Sequence, residues 1–166
     1  MRFGRYMAAA ALALLPFAPA AQETRDYYAE LAAHKHALGV LYEGTEKLVM
    51  SYWQKFNELE SDIKKIKSRW FVVMPKQDSR TIGLVSDYIS RNPATGCTHL
   101  LREMYTTGRE IRLRWNAQID DTEAGSRIAM YMHAEQKGKE GIDCMAHEEK
   151  RVDDLRGDVA WIKNRV

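Results

Sequence analysis

Residues 24–73 read TRDYYAELAAHKHALGVLYEGTEKLVMSYWQKFNELESDIKKIKSRWFVV, and this stretch decides the fold. Apolar and aromatic residues recur in it every seven positions, in two registers three residues apart. One register holds Tyr28, Lys35, Tyr42, Val49, Phe56, Ile63 and Trp70; the other holds Leu31, Leu38, Thr45, Tyr52, Leu59, Ile66 and Val73. Only Lys35 and Thr45 interrupt the seam. An a/d repeat sustained this long marks a coiled-coil-like helix rather than a short surface helix. At 1.5 Å per residue, a helix of about fifty residues extends about 75 Å. Leu41, Leu48 and Trp53 widen the stripe, which predicts more than one neighbouring helix. Glu23, Asp26 and Glu30 near the start, and Lys64, Lys65, Lys67 and Arg69 near the finish, complement the helix dipole.

Working outward, the rest of the chain is also rich in helix formers and poor in breakers. Pro75 with Lys76-Gln77-Asp78-Ser79 predicts a turn, and residues 81–90 a short helix carrying Ile82, Val85 and Ile89. Asn92-Pro93-Ala94-Thr95-Gly96 interrupts it. The stripe resumes from Thr98 with Leu101, Met104, Gly108, Ile111 and Trp115. A last helix over about 142–165 uses Met145, Val152, Leu155, Val159 and Ile162. Two glycines in Gln136-Lys137-Gly138-Lys139-Glu140-Gly141 predict a loop. Trp70-Phe71-Val72-Val73 is ambiguous between strand and helix. The expected fold is therefore all-α: an elongated antiparallel helical bundle, coiled-coil-like, built on the helix over about 24–73.

The N-terminus predicts export. Arg2 and Arg5 precede an apolar run over residues 7–15, and Ala18-Pro19-Ala20 supplies a small-residue cleavage site. The run is about half of the roughly 20 residues that span a bilayer, so residues 1–21 read as a cleavable secretory signal and not as an anchor. Residues 22–166 then form a single helical domain with no transmembrane segment. Cleavage after Ala20 or Ala21 places it in a periplasm or outside the cell. The 166-residue chain has 25 basic and 23 acidic residues, a formal charge of +2. Arg2 and Arg5 are the only charges in the signal, so the mature chain is formally neutral though densely charged. That balance argues against a nucleic-acid partner.

Cys97 and Cys144 are the only cysteines, and an even count in an exported chain favours a disulfide. The bond requires Cα atoms within about 7 Å, whereas one unbroken helix over 98–137 would hold the two segments roughly 60 Å apart. The chain must then double back near residues 120–121, where Asp120-Asp121-Thr122-Glu123 reads as a helix cap of the capping-box type. Two helices, 98–119 and 122–142, meet that requirement; a single long helix is the competing arrangement. A metal reading competes with the disulfide: Cys97 with His99, and Cys144 with His147, would make a Cys2His2 set if the segments met. His34 and His36 are two residues apart and do not share a helix face. Glu58 and Asp62, and the cluster Arg109, Arg112 and Arg114, read as solvated surface. Trp53, Trp70, Trp115 and Trp161 read as core or helix–helix contacts.

No haem-attachment, nucleophile-elbow, Walker, zincin or dinucleotide pattern occurs, so the sequence calls for no cofactor and no catalytic residue. The long aromatic seam predicts a protein partner or self-association through Tyr28, Leu31, Leu38, Tyr42, Val49, Tyr52, Phe56, Leu59, Ile63, Ile66 and Trp70. The function that follows is an exported structural or protein-interaction protein, such as a component of an envelope or secretion assembly. Exported helical minor subunits of type IV secretion pili share this general plan, although the chain carries no motif of theirs. The alternative is a small-ligand or metal-binding bundle centred on the Cys/His pairs.

Overall fold

The computed structural model describes residues 25–69, 73–114 and 119–166. The signal segment, Trp70 to Val72 and Trp115 lie outside them. Four helices account for nearly all the described residues: α1 Tyr27–Lys67, α2 Lys76–Arg91, α3 Ala94–Arg114 and α4 Asp121–Arg165. Each boundary has a local cause. The Asp26 carboxylate caps α1 by accepting from the Ala29 amide at 3.1 Å. Pro75, with φ of −54°, leads directly into α2, which begins five residues before the expected start. α2 stops at Asn92, the one described non-glycine residue with positive φ (46°), whose amide bonds the Tyr88 carbonyl before Pro93. Asp120 caps α4 through the Glu123 amide at 2.9 Å, as the capping-box pattern predicts.

Cross-helix pairs fix the topology. His34 meets Glu135, Ser51 meets Glu149, Glu58 meets Arg156 and Asp62 meets Lys163. The partners advance together, so α1 and α4 run parallel. Tyr52 meets Tyr88 and Tyr42 stacks on Tyr105, while Cys97 bonds Cys144 and His133 meets Glu103. The α2–α3 arm therefore runs antiparallel to both long helices, as a return path broken at Asn92–Pro93. The all-α bundle is as expected, but it rests on two long helices of 41 and 45 residues instead of one. Among the described residues no helix is long and apolar enough to cross a membrane.

The seam builds the core. Leu38, Thr45, Tyr52, Phe56, Leu59, Ile63 and Ile66 are buried along α1, against Val85 and Tyr88 of α2, Leu101 and Met104 of α3, and Met145, Val152, Val159 and Ile162 of α4. Leu41, Leu48 and Trp53 pack at its edge, as the widened stripe predicts. The seam frays at both ends, where Tyr28 is 65% and Val73 95% exposed. Trp161 is 64% exposed and lies under the Arg165 guanidinium, which corrects its reading as core.

The loop expected over 136–141 is instead continuous helix, and both glycines are buried. A Cβ at Gly138 would collide with the Met104 sulfur, and one at Gly141 would stand 2.6 Å from Leu101 Cδ2 and 2.9 Å from its Cγ. These glycines bring α3 and α4 close together rather than breaking the helix. A Cβ at Gly157 meets nothing within 4 Å. Gly141→Ala should thus lower stability by about 1–3 kcal/mol through overpacking, whereas Gly157→Ala should raise it by roughly 0.5–1 kcal/mol. Chemical denaturation followed by circular dichroism compares the two directly; a Gly141→Ala variant that loses no stability would show that α3 and α4 are not held this closely.

Candidate functional site

The features with chemical potential gather where α2, α3 and α4 meet α1. Cys97 is fully buried on the first turn of α3, and its sulfur is bonded to that of Cys144 on α4, with Cα atoms 5.4 Å apart. The hairpin reading holds: α3 ends at Arg114, α4 starts at Asp121, and the two run antiparallel so that Cys144 returns to Cys97. The Cys2His2 reading fails for the same reason. Both sulfurs are spent on each other and offer no thiolate, while His99 and His147 are exposed on the outer faces of α3 and α4. Among the described residues no group of three or more His, Cys, Asp or Glu side chains is placed to hold a metal.

One turn beyond Cys144 lies a polar network that the sequence reading missed. The Tyr88 hydroxyl donates to Glu148 Oε2 at 2.8 Å and lies 3.2 Å from the Tyr52 hydroxyl. All three side chains are buried, and the Arg151 guanidinium lies 5.1 Å from the Tyr88 ring centroid. The signal was present in the heptads: Ile162 is buried, Leu155 packs against the core, and seven positions before Leu155 is Glu148. A carboxylate at a core position needs a buried donor, and Tyr88 provides it. Burial pushes the Tyr88 phenol far above its ordinary range, with the bonds to Tyr52 and Glu148 adding to the effect; burial likewise raises Tyr52.

A line of ion pairs flanks this network along the α1–α4 interface. Lys55 reaches Glu149 at 2.7 Å and Asp153 at 3.0 Å, Arg156 pairs with Glu58, and Lys163 pairs with Asp62 at 3.0 Å. Glu58 and Asp62 are therefore interhelical partners, not simply solvated charges. The Lys55 hydrogen bond holds the Glu149 carboxyl below the usual glutamate value of 4.5, and the carboxylates raise Lys55 in turn. Further toward the α1 N-terminus, His34 Nδ1 lies 3.0 and 3.1 Å from the two oxygens of Glu135. His36 is exposed.

The residues assigned to an interaction seam are mostly unavailable to a partner. Leu38, Tyr52, Phe56, Leu59, Ile63 and Ile66 are buried within the chain, and Leu31, Tyr42 and Val49 are half-buried. The reason is stoichiometric: α2, α3 and α4 supply the neighbours that a second chain would otherwise supply. Exposed apolar surface lies elsewhere, including on the outer α1–α4 groove. There Val40 is 55% and Met132 57% exposed, near Ala33, Ala37 and Ala129.

Two pH responses follow. Tyr52 and Tyr88 keep their protons in the fold while the unfolded chain loses them near pH 10, so their contribution is complete below pH 10 and declines above it. Ultraviolet titration should show these two phenolates appearing only together with alkaline unfolding, later than the exposed tyrosines. The depressed Glu149 acts on the acid side: its contribution is complete above pH 4.5 and is lost as pH falls through its lower folded value. Glu149→Gln should flatten that part of the acid stability profile. Tyr88→Phe, which strips buried Glu148 of its donor, should cost about 1–3 kcal/mol.

Comparison of the chain with protein-family models, curated proteins and solved structures finds no match to any of them. What the molecule does is read from its own residues.

Proposed function

We propose that the chain is an exported, periplasmic or secreted, structural or protein-interaction protein that serves an envelope or secretion assembly, in the manner of a minor subunit of a type IV secretion pilus. The observation that carries the reading is the Cys97–Cys144 bond in a chain whose first 21 residues have the pattern of a secretory signal. Such bonds form and persist in oxidising compartments, and the signal pattern leads to one. The interaction part of the reading is supported by Val40 and Met132, large apolar side chains left exposed on the outer α1–α4 groove. With the heptad seam filled internally, docking or self-association goes through that outer face. The role is not enzymatic.

Closing the loop between the cysteines stabilises the fold by about 4 kcal/mol in the chain-entropy treatment, a large fraction of the roughly 5–15 kcal/mol typical of a domain. Expression of the full chain in a bacterium should yield a periplasmic protein beginning at Ala21 or Gln22, with Cys97 and Cys144 joined in a non-reducing peptide map. Light scattering should then show a species larger than a monomer, alone or with an envelope partner, that Val40→Glu with Met132→Glu returns to monomer. An unprocessed cytoplasmic chain would sink the export reading. A monomer under all conditions, unchanged by the double substitution, would sink the interaction reading.

A further inference from the structure

The seam has one charged position, Lys35, and the core fails to close beside it. α1, the last turns of α3 and the early turns of α4 leave a cleft of about 440 Å³ there. Leu31, Leu38 and Ile111 line it with aliphatic surface, and the Tyr42 and Tyr131 rings add aromatic surface. The cleft depends on a missing side chain on α3: a Cβ at Gly108 would collide with the Tyr42 hydroxyl. Among the described residues its charged lining is Lys35 from α1, Arg112 from α3 and Arg127 from α4, with no Asp or Glu. Among the described residues neither Lys35 nor Arg112 forms an ion pair, although Arg114, two positions from Arg112, is paired with Glu110.

Lys35 and Arg112, neither of them in an ion pair among the described residues, flank this apolar surface from two helices, and an anion placed between them is attracted by both. The volume falls in the range of small-molecule sites, roughly 300–1,000 Å³, which are apolar with a few convergent polar groups. The charge has one sign and the body of the site is aliphatic, so the complementary ligand has an anionic head and an apolar tail. Guanidinium groups favour a carboxylate head, which they grip through paired, charge-assisted hydrogen bonds.

We propose that this three-helix cleft binds a small anionic amphiphile of the fatty-carboxylate class, its head held by Lys35 and Arg112 and its tail lying on Leu31, Leu38 and Ile111. The site is separate from the disulfide, from the buried tyrosines and from the outer α1–α4 groove. It does not depend on the role proposed for the chain as a whole.

Decanoate is the probe, with decanol as its uncharged counterpart, titrated calorimetrically into the purified full-length domain. Decanoate should bind with one site per chain, and decanol at least about tenfold more weakly, since a hydrogen bond to a charged group contributes about 1.5–3 kcal/mol. Lys35→Glu with Arg112→Glu, both at exposed positions, should abolish decanoate binding. Lys67→Glu with Arg69→Glu, beside the separate apolar cleft between α1 and α2, should leave it unchanged. Should the charge reversal disturb the helical spectrum, Lys35→Gln with Arg112→Gln serves in its place and should weaken binding in the same direction. No binding of decanoate, equal binding of decanol, or equal loss in the Lys67/Arg69 variant would each overturn the proposal.

Discussion

Two long helices lying side by side and pointing the same way impose the rest of the architecture. A parallel pair cannot be joined by a tight turn, so the chain leaving α1 must travel back along the whole rod before α4 can start. α1 is about 60 Å long at 1.5 Å per residue, and α2 and α3 together, of 16 and 21 residues, cover nearly the same distance. The return arm is thus as long as the geometry requires. Its break at Asn92–Pro93 lets the two halves settle separately against the long helices. The ion pairs from Lys55 to Lys163 lock the parallel register, because a slip of one heptad would separate every one of them.

Much of this was legible in the amino-acid order. The a/d repeat of α1 marked the residues that become core, and the capping pattern at Asp120 placed the start of α4. The need to bring Cys97 to Cys144 predicted a reversal where one occurs. The direction of pairing was not legible, since a heptad repeat states that a partner exists without stating which helix it is or which way it points. Gly138 and Gly141 were misread because glycine weakens an isolated helix, while the value of a bare backbone appears only when Met104 and Leu101 face it. Glu58 and Asp62 looked like surface because their partners lie about a hundred residues away on α4.

The same reasoning explains why most of the seam is buried within the chain. A long apolar stripe calls for burial, and the chain meets that demand with its own helices. What remains outside is a charged surface with a few apolar side chains. The chemically unusual groups fall where the repeat is violated: Lys35 opens a cleft, and Glu148 at a core heptad position recruits Tyr88. Departures from a strong pattern are therefore more informative about this molecule than the pattern itself.

The disulfide also divides the chain mechanically. It joins positions 47 residues apart, so tension applied on either side of that loop crosses from Cys97 to Cys144 through the sulfur atoms. The enclosed hairpin, with most of α3 and the first half of α4, carries no load. The segment under strain is α1, the α2 arm and the final turns of α4. A rod pulled from its two ends would then lose the α2 arm and the distal half of α4 first, while the cross-linked hairpin of α3 and early α4 stays folded around its covalent staple.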